Sequence, residues 1–223
     1  MIINHNHERF QRAFHNELRR RNKYNGAYYY SQEICKYFIP TIKTSRNWLT
    51  IDWNGEKPFD HAIAFVHHNI NIEWYADWKG KDVILVCGMP ETVEKVAPYG
   101  KAIYLPLSVD VEYVKRFRAE KTKGTCFVGR RDKMTSEVPR NVDRLEGIPR
   151  DLLLTKLAQY RRAYAVDRCA IEAKILGCEV LPYGYGYGVV HSPDFWRPFD
   201  SRDAAKMLQR LIDEIDVASE ATK

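Results

Sequence analysis

The chain of 223 residues has few cysteines, and none are paired in a recognisable motif. Its five cysteines are Cys35, Cys87, Cys126, Cys169 and Cys178. No two are spaced as Cys-x-x-Cys, so the sequence predicts neither a disulfide framework nor a cysteine zinc site. Because most of them lie inside apolar segments, we expect them to be buried as small hydrophobic side chains.

The sequence also lacks a long hydrophobic run. The longest apolar stretches, such as residues 83–87 and 104–107, are far shorter than the roughly 20 residues that a membrane-spanning helix needs. The first 30 residues are polar and rich in arginine, without the apolar centre of a signal peptide. We therefore expect no membrane span and a cytoplasmic location.

The composition has no extreme that would exclude a globular fold. Hydrophobic residues make up 45% of the chain and charged residues 29%, with only 12 Gly and 10 Pro. These values exclude global disorder, collagen and coiled coil as descriptions of the whole chain. The 35 Lys and Arg exceed the 29 Asp and Glu, for a net charge of +6. That excess fits a polyanionic partner such as nucleic acid, or it serves solubility alone.

From residue 47 onward, short β-rich runs alternate with helical patterns. The predicted strands are residues 47–52, 61–66, 81–87, 101–105, 125–128, 142–145, 163–166 and 179–182. The predicted helices are residues 72–78, 91–97, 111–119, 149–160, 169–176 and 203–215. Such alternation is typical of parallel sheets covered by helices. The sequence therefore predicts an α/β protein.

The alternation runs through two cycles, separated by a charged stretch at residues 118–124. We predict two small Rossmann-like domains with parallel sheets, one over residues 1–120 and one over residues 121–223. The first carries a basic helical extension at its amino end, and the second ends in the amphipathic helix over residues 203–215. The tyrosine-glycine repeat at residues 183–188 is interpreted as a flexible surface loop, with a backbone phosphate contact as the alternative.

Ligands of open parallel sheets bind beyond the carboxyl ends of the strands, so the residues that follow each strand are the candidates for a site. The fifth predicted strand is followed by Gly129, Arg130, Arg131, Asp132 and Lys133. Three cations close behind a glycine are typical of an anion site, and a diphosphate is the expected ligand. The alternative is a solvated basic turn.

A general base is expected in the first domain, because a transferase that activates a hydroxyl needs one nearby. The candidates by position after a strand are His67, His68, Asp52 and Asp110. We predict His67 as the catalytic residue. A histidine that caps a helix or borders the core is the alternative for either histidine.

The order of motifs in the second domain resembles the donor-binding half of GT-B-fold glycosyltransferases. The chain reads Phe-Val-Gly-Arg at residues 127–130, Gly-Ile-Pro at 147–149, and Ile-Glu-Ala at 171–173 in a helix that Gly177 ends. In that family a strand ends in Gly-Arg with a lysine soon after, and a helix carrying Glu-Ala feeds the last strand. The resemblance covers residues 125–183.

The resemblance implies a nucleotide-diphosphate sugar as the substrate, with no further cofactor and no metal. It assigns the diphosphate to Gly129, Arg130 and Lys133. It assigns the ribose hydroxyls to Glu172, and it places Gly147 and Ile148 beside the base. Two departures stand out, because Tyr164 occupies the position where many members have a second glutamate, and the chain has about half the usual length.

Short stretches of the first domain resemble small proteins encoded by bacteriophages and prophages of Gram-positive bacteria. These are residues 29–34, 44–48 and 104–110. In a host cytoplasm such a transferase would act on phage DNA or a host polymer. Two alternatives stay open: an inactive inhibitor or nucleotide-binding protein on the same scaffold, and plain DNA binding through the basic amino-terminal segment. A homodimer is also compatible with the exposed-looking tyrosines.

Overall fold

A computed structural model describes residues 30, 33–34, 36–37, 61–66, 79–80, 82–129, 134, 138–186 and 189–220. Within these residues the chain is α/β, with two separate sheets whose strands are all parallel. This confirms the predicted fold class. The predicted strand at residues 47–52, the helix at residues 72–78 and the basic amino-terminal helix lie outside the described residues.

The chain divides into two units, and the division differs from the expected one. Residues 108–200 form the second unit, whereas residues 201–220 belong with the described residues up to 107. The boundary therefore lies before the expected one at residue 120. The carboxyl-terminal helix joins the first unit, where the hydroxyl of Ser201 donates a hydrogen bond to Oε2 of buried Glu33, at 3.3 Å.

The first unit is built on a three-stranded sheet. Its elements are β1 (His61–Val66), β2 (Asp82–Cys87), α1 (Pro90–Val96), a 3-10 turn (Ala97–Tyr99), β3 (Lys101–Tyr104) and α5 (Ser201–Glu220). The strand order is β1-β2-β3. After Asp82, β2 is a run of apolar residues whose last four are fully buried, as expected for the central strand of a parallel sheet.

A helical segment before β1 closes part of the first core. Tyr30, Glu33, Ile34, Lys36 and Tyr37 are helical. Tyr30 is 3% exposed and packs edge-on against Phe65. Its hydroxyl donates to the carbonyl oxygen of Leu105 at 2.8 Å, so this tyrosine joins the segment to the carboxyl end of β3.

The second unit is built on a four-stranded sheet. Its elements are α2 (Val111–Lys115), β4 (Lys123–Val128), β5 (Asp143–Leu145), α3 (Arg150–Leu157), β6 (Tyr160–Tyr164), α4 (Asp167–Ile175), β7 (Glu179–Leu181) and a 3-10 turn (Pro193–Phe195). The strand order is β5-β4-β6-β7. Its core is formed by buried residues of β4, α3 and α4, including Phe127, Leu154, Leu157 and Ile171.

Several boundaries in the second unit differ from the sequence prediction. β6 begins at Tyr160, three residues before the predicted start, and α3 ends at Leu157. The strand was hidden because Arg161 and Arg162 are exposed and polar, although Tyr160 is buried and pairs with Lys123 of β4. α2 is also shorter than predicted, and Asp110 caps it by accepting a hydrogen bond from the backbone nitrogen of Tyr113 at 3.0 Å.

A lysine joins the ends of two helices in this unit. The Nζ of Lys121 donates to the carbonyl oxygens of Ala158 and Leu176, both at 2.8 Å. These carbonyls lie at the carboxyl ends of α3 and α4, where backbone oxygens lack helical partners and the helix dipole favours a cation. The side chain of Lys121 therefore joins the carboxyl ends of α3 and α4.

Candidate functional site

The strand order of the second sheet defines where a ligand would bind. From β4 the chain moves to β5 on one side, and from β5 it crosses to β6 on the other side. The two crossings lead in opposite directions, so a topological switch point lies between β4 and β6. In open parallel sheets this is where the crevice for a ligand forms, beyond the carboxyl ends of the strands.

Gly129 is the first residue after β4 and lies directly at the switch point. Its φ is 153°, a conformation that residues with a side chain rarely adopt. A Cβ atom at this position would lie 2.4 Å from the hydroxyl oxygen of Tyr183. Both the backbone conformation and the lack of space beside it therefore require glycine at position 129. The segment with the predicted cations begins at the next residue.

Glu172 is buried in the middle of α4 and is held by two arginines. Nη2 and Nε of Arg150 donate to its Oε1 at 2.8 and 3.1 Å, and Nη2 of Arg168 lies 3.4 Å from the same oxygen. The exposed fractions of these side chains are 4% for Glu172, 10% for Arg150 and 5% for Arg168. The three groups form a buried cluster, which we call the Arg-Glu-Arg cluster, with a formal charge of +1.

Further contacts fix the two arginines of this cluster. Nη1 of Arg168 donates to the carbonyl oxygen of Ser108 at 2.9 Å. The guanidinium carbon of Arg150 lies 5.5 Å from the ring centroid of Tyr113, a cation–π distance. The cluster therefore links α4 to the start of α3 and to the segment around α2.

The turn after β6 is strained at the switch point. Asp167, the first residue of α4, has a φ of 57°, and it is the only residue other than glycine with a positive φ in the described chain. Aspartate tolerates this left-handed conformation better than most side chains, but it still costs free energy. Strained residues of this kind cluster at ligand sites.

Tyr183 and Tyr185 correct the prediction of a flexible surface loop over the described part of residues 183–188. Tyr183 is 3% exposed and Tyr185 is 7% exposed. The ring of Tyr183 packs against Phe127 of β4 at 5.3 Å between centroids, and Tyr185 forms an isolated bridge with Met134. The prediction was wrong because aromatic rings gain more from burial against the sheet than glycines gain from flexibility.

The predicted site residues fall into two groups. Gly129 and Gly147 follow the neighbouring strands β4 and β5, so the structure brings them to one edge of the sheet. Gly147 has a φ of 65° and open space around it, and Ile148 beside it is half-buried. His67, Arg130 and Lys133 lie outside the described residues, so their roles stay predictions.

Sequence reasoning missed three residues of this region: Arg150, Arg168 and Tyr183. Arg150 follows the Gly-Ile-Pro turn directly, and Arg168 lies four residues before Glu172, one helical turn away. That spacing is a usable indication of an ion pair. Nothing in the sequence indicated the burial of Tyr183, which depends on the position of Phe127 in another strand.

No family model, curated protein or solved structure matches the chain. Among the residues that the structure describes, no group of three His, Cys, Asp or Glu side chains is placed to hold a metal ion. The described helices also include none that is long and apolar enough to cross a membrane.

Proposed function

We propose that the second unit binds a nucleotide-diphosphate sugar at the carboxyl edge of its sheet and that the chain is a glycosyltransferase. The observation that carries this proposal is the position of Gly129 at the switch point of a parallel sheet. Arg130 follows it directly in the sequence, and Lys133 lies four residues after it. Cations that follow a glycine turn at the carboxyl end of a parallel strand are suited to a diphosphate.

The chemistry of sugar transfer explains why cations are needed there. The bond between the anomeric carbon and the diphosphate oxygen breaks, and the electron pair leaves with the nucleoside diphosphate. Arg130 and Lys133 would neutralise the charge that develops on this leaving group. The acceptor hydroxyl forms the new bond to the anomeric carbon and gives its proton to a base, for which His67 is the predicted residue.

The Arg-Glu-Arg cluster suggests a different role for Glu172 from the expected contact with the ribose hydroxyls. Its Oε1 already accepts hydrogen bonds from Arg150, and Arg168 lies close to the same oxygen. In this proposal Glu172 positions the two arginines, whose charge favours an anionic ligand, and a contact with ribose is secondary. The fixed orientation of the guanidinium groups also reduces the entropy lost when a ligand binds.

A second candidate function is a nucleotide-binding protein without transfer activity, such as an inhibitor of a host system. The engagement of the Glu172 carboxylate favours it, as does Tyr164 at the position of a second glutamate. The first candidate predicts turnover of a sugar donor, whereas the second predicts binding alone.

The test is a thermal-shift screen of the purified chain against UDP, GDP, ADP, TDP and CDP, each with and without an attached hexose. A ligand that binds only the native state raises its melting temperature. We expect a base-selective shift that Arg130→Ala abolishes and that Arg140→Ala, a change at an exposed arginine of the same unit, preserves. No shift with any compound would overturn the proposal.

Hydrolysis of the selected sugar donor then separates the two candidates. Slow release of the hexose that depends on Arg130 supports a transferase. Tight binding with an intact donor after prolonged incubation supports the binding protein.

A further inference from the structure

The hydroxyl of Tyr183 is a buried polar group in the core of the second unit. The residue is 3% exposed, and within the described chain its oxygen has no hydrogen-bond partner. Native proteins pair nearly all buried polar groups, because each unpaired one costs free energy. Phenylalanine would fill the same space between Phe127 and Tyr185 without this cost.

The hydroxyl is directed at the switch point. Its oxygen lies 2.4 Å from the position that a Cβ of Gly129 would take. The hydroxyl therefore occupies the space beside the α-carbon at the end of β4. A ligand bound at the switch point against Gly129 would therefore lie next to this oxygen.

The neighbouring charges indicate which ligand atom fits. Burial raises the pKa of Tyr183, and the acidic side chains of Cys169, Tyr185, Asp167 and Glu146 add to the rise. The hydroxyl therefore stays protonated and acts as a donor. The proposed function assigns the diphosphate to the cations that follow Gly129. The neutral Tyr183 hydroxyl, with Asp167 and Glu146 nearby, is therefore left for a sugar hydroxyl, which can accept from a tyrosine and donate to a carboxylate.

We propose that the Tyr183 hydroxyl donates a hydrogen bond to a sugar hydroxyl of the bound donor. This inference rests on the proposed function and makes Tyr183 a residue that distinguishes a nucleotide sugar from a bare nucleotide. It also accounts for a buried hydroxyl that the fold itself does not use.

The test compares Tyr183→Phe with Tyr160→Phe. Both changes remove one hydroxyl from the second unit, but the hydroxyl of Tyr160 donates to Oδ2 of Asp143 at 2.7 Å and Tyr160 lies at the amino end of β6. Melting temperatures are measured without ligand, and dissociation constants are measured for the selected nucleoside diphosphate and its hexose conjugate.

We expect Tyr183→Phe to keep or raise the melting temperature of the free protein. We expect it to lower the affinity for the hexose conjugate about fivefold, which is the usual effect of losing one neutral hydrogen bond. Affinity for the bare diphosphate stays unchanged. Tyr160→Phe shows the opposite pattern, with a lower melting temperature and unchanged affinities.

Three results would overturn the inference. If Tyr183→Phe melts several degrees below the wild type, the hydroxyl has a hydrogen-bond partner within the folded protein and is not reserved for a ligand. Equal affinities of wild type and Tyr183→Phe for the conjugate, with Arg130-dependent binding of the diphosphate intact, reject the sugar contact and leave the proposed function standing. Absence of any nucleotide binding by the wild type rejects both.

Discussion

Arg150, the first residue of α3, donates two hydrogen bonds to a single carboxylate oxygen of Glu172 in α4, with Nη2–Oε1 and Nε–Oε1 distances of 2.8 and 3.1 Å. The pair is buried, and Arg168 lies 3.4 Å from the same oxygen. Charges are expensive to bury, so each member of this cluster depends on the others.

Glu172→Ala is expected to destabilise the second unit by about 3–5 kcal/mol, because it leaves two buried guanidinium groups without their shared carboxylate. Urea unfolding followed by tryptophan and tyrosine fluorescence measures the change. Glu112→Ala is the control, because its salt bridge to Lys115 is exposed and such pairs contribute less than about 1 kcal/mol. A similar small loss in both variants would contradict the structural role of the cluster.

The sequence predicted the parallel architecture well, because that prediction depends on local patterns. Most strand positions in the described residues follow from apolar runs such as the one in β2, where residues 84–87 are buried on both faces. The sequence also predicted correctly that Gly129 follows a strand. In contrast, Arg150, which donates two hydrogen bonds to Glu172, lies in a different helix, and no local pattern shows that it reaches Glu172.

The assignment of the last helix to the first unit could not be predicted for a similar reason. Its amphipathic pattern shows that one face is buried, but it does not show against which sheet. The contact of Ser201 with Glu33 joins residues that lie far apart in the sequence, and both belong to the first unit. Long-range pairing of this kind has no signature within either segment.

Gly129→Ala is expected to destabilise the second unit by roughly 2–4 kcal/mol, because strain from the positive φ adds to a collision with Tyr183. Gly147 has a φ of 65°, in the left-handed region, and open space around it, so Gly147→Ala is expected to cost about 1 kcal/mol from strain alone. Gly124→Ala has neither constraint and is expected to have little effect. Urea unfolding of the three variants separates the two causes.

The collision has its own test in a double variant. Tyr183→Phe removes the oxygen that lies 2.4 Å from the new Cβ, while the next ring atom is 3.6 Å away. The double variant of Gly129→Ala and Tyr183→Phe should therefore be more stable than Gly129→Ala alone. Strict additivity of the two changes would show that the hydroxyl and the new methyl group do not meet.

Lys121→Met is expected to destabilise the second unit by about 2–3 kcal/mol, because two carbonyl oxygens at helix ends lose a charged donor. Methionine retains most of the apolar stem, so the change isolates the amino group. Lys115→Met, at an exposed lysine, provides the control and should change the stability by less than about 0.5 kcal/mol. Equal effects would show that Lys121 does not hold the two helices.

The stability of the second unit is expected to fall at alkaline pH through Cys126. Burial raises the pKa of this thiol to about 12, and the nearby Cys178 and Asp143 add to the rise. In the unfolded chain the thiol ionises near its ordinary pKa of about 8.5. The thiol's contribution to stability is therefore fully present below about pH 8.5 and is lost as the pH rises toward 12.

The measurement is the free energy of unfolding of the wild type and of Cys126→Ala between pH 8 and pH 10.5. Above about pH 9.5 the stability of the wild type should fall more steeply, by up to about 1.4 kcal/mol per pH unit, since one thiol releases its proton only on unfolding. The tyrosines, lysines and remaining thiols are present in both proteins, so most of their contribution cancels in the difference. Parallel curves for the two proteins would mean that the Cys126 thiol ionises in the folded state as readily as in the unfolded chain.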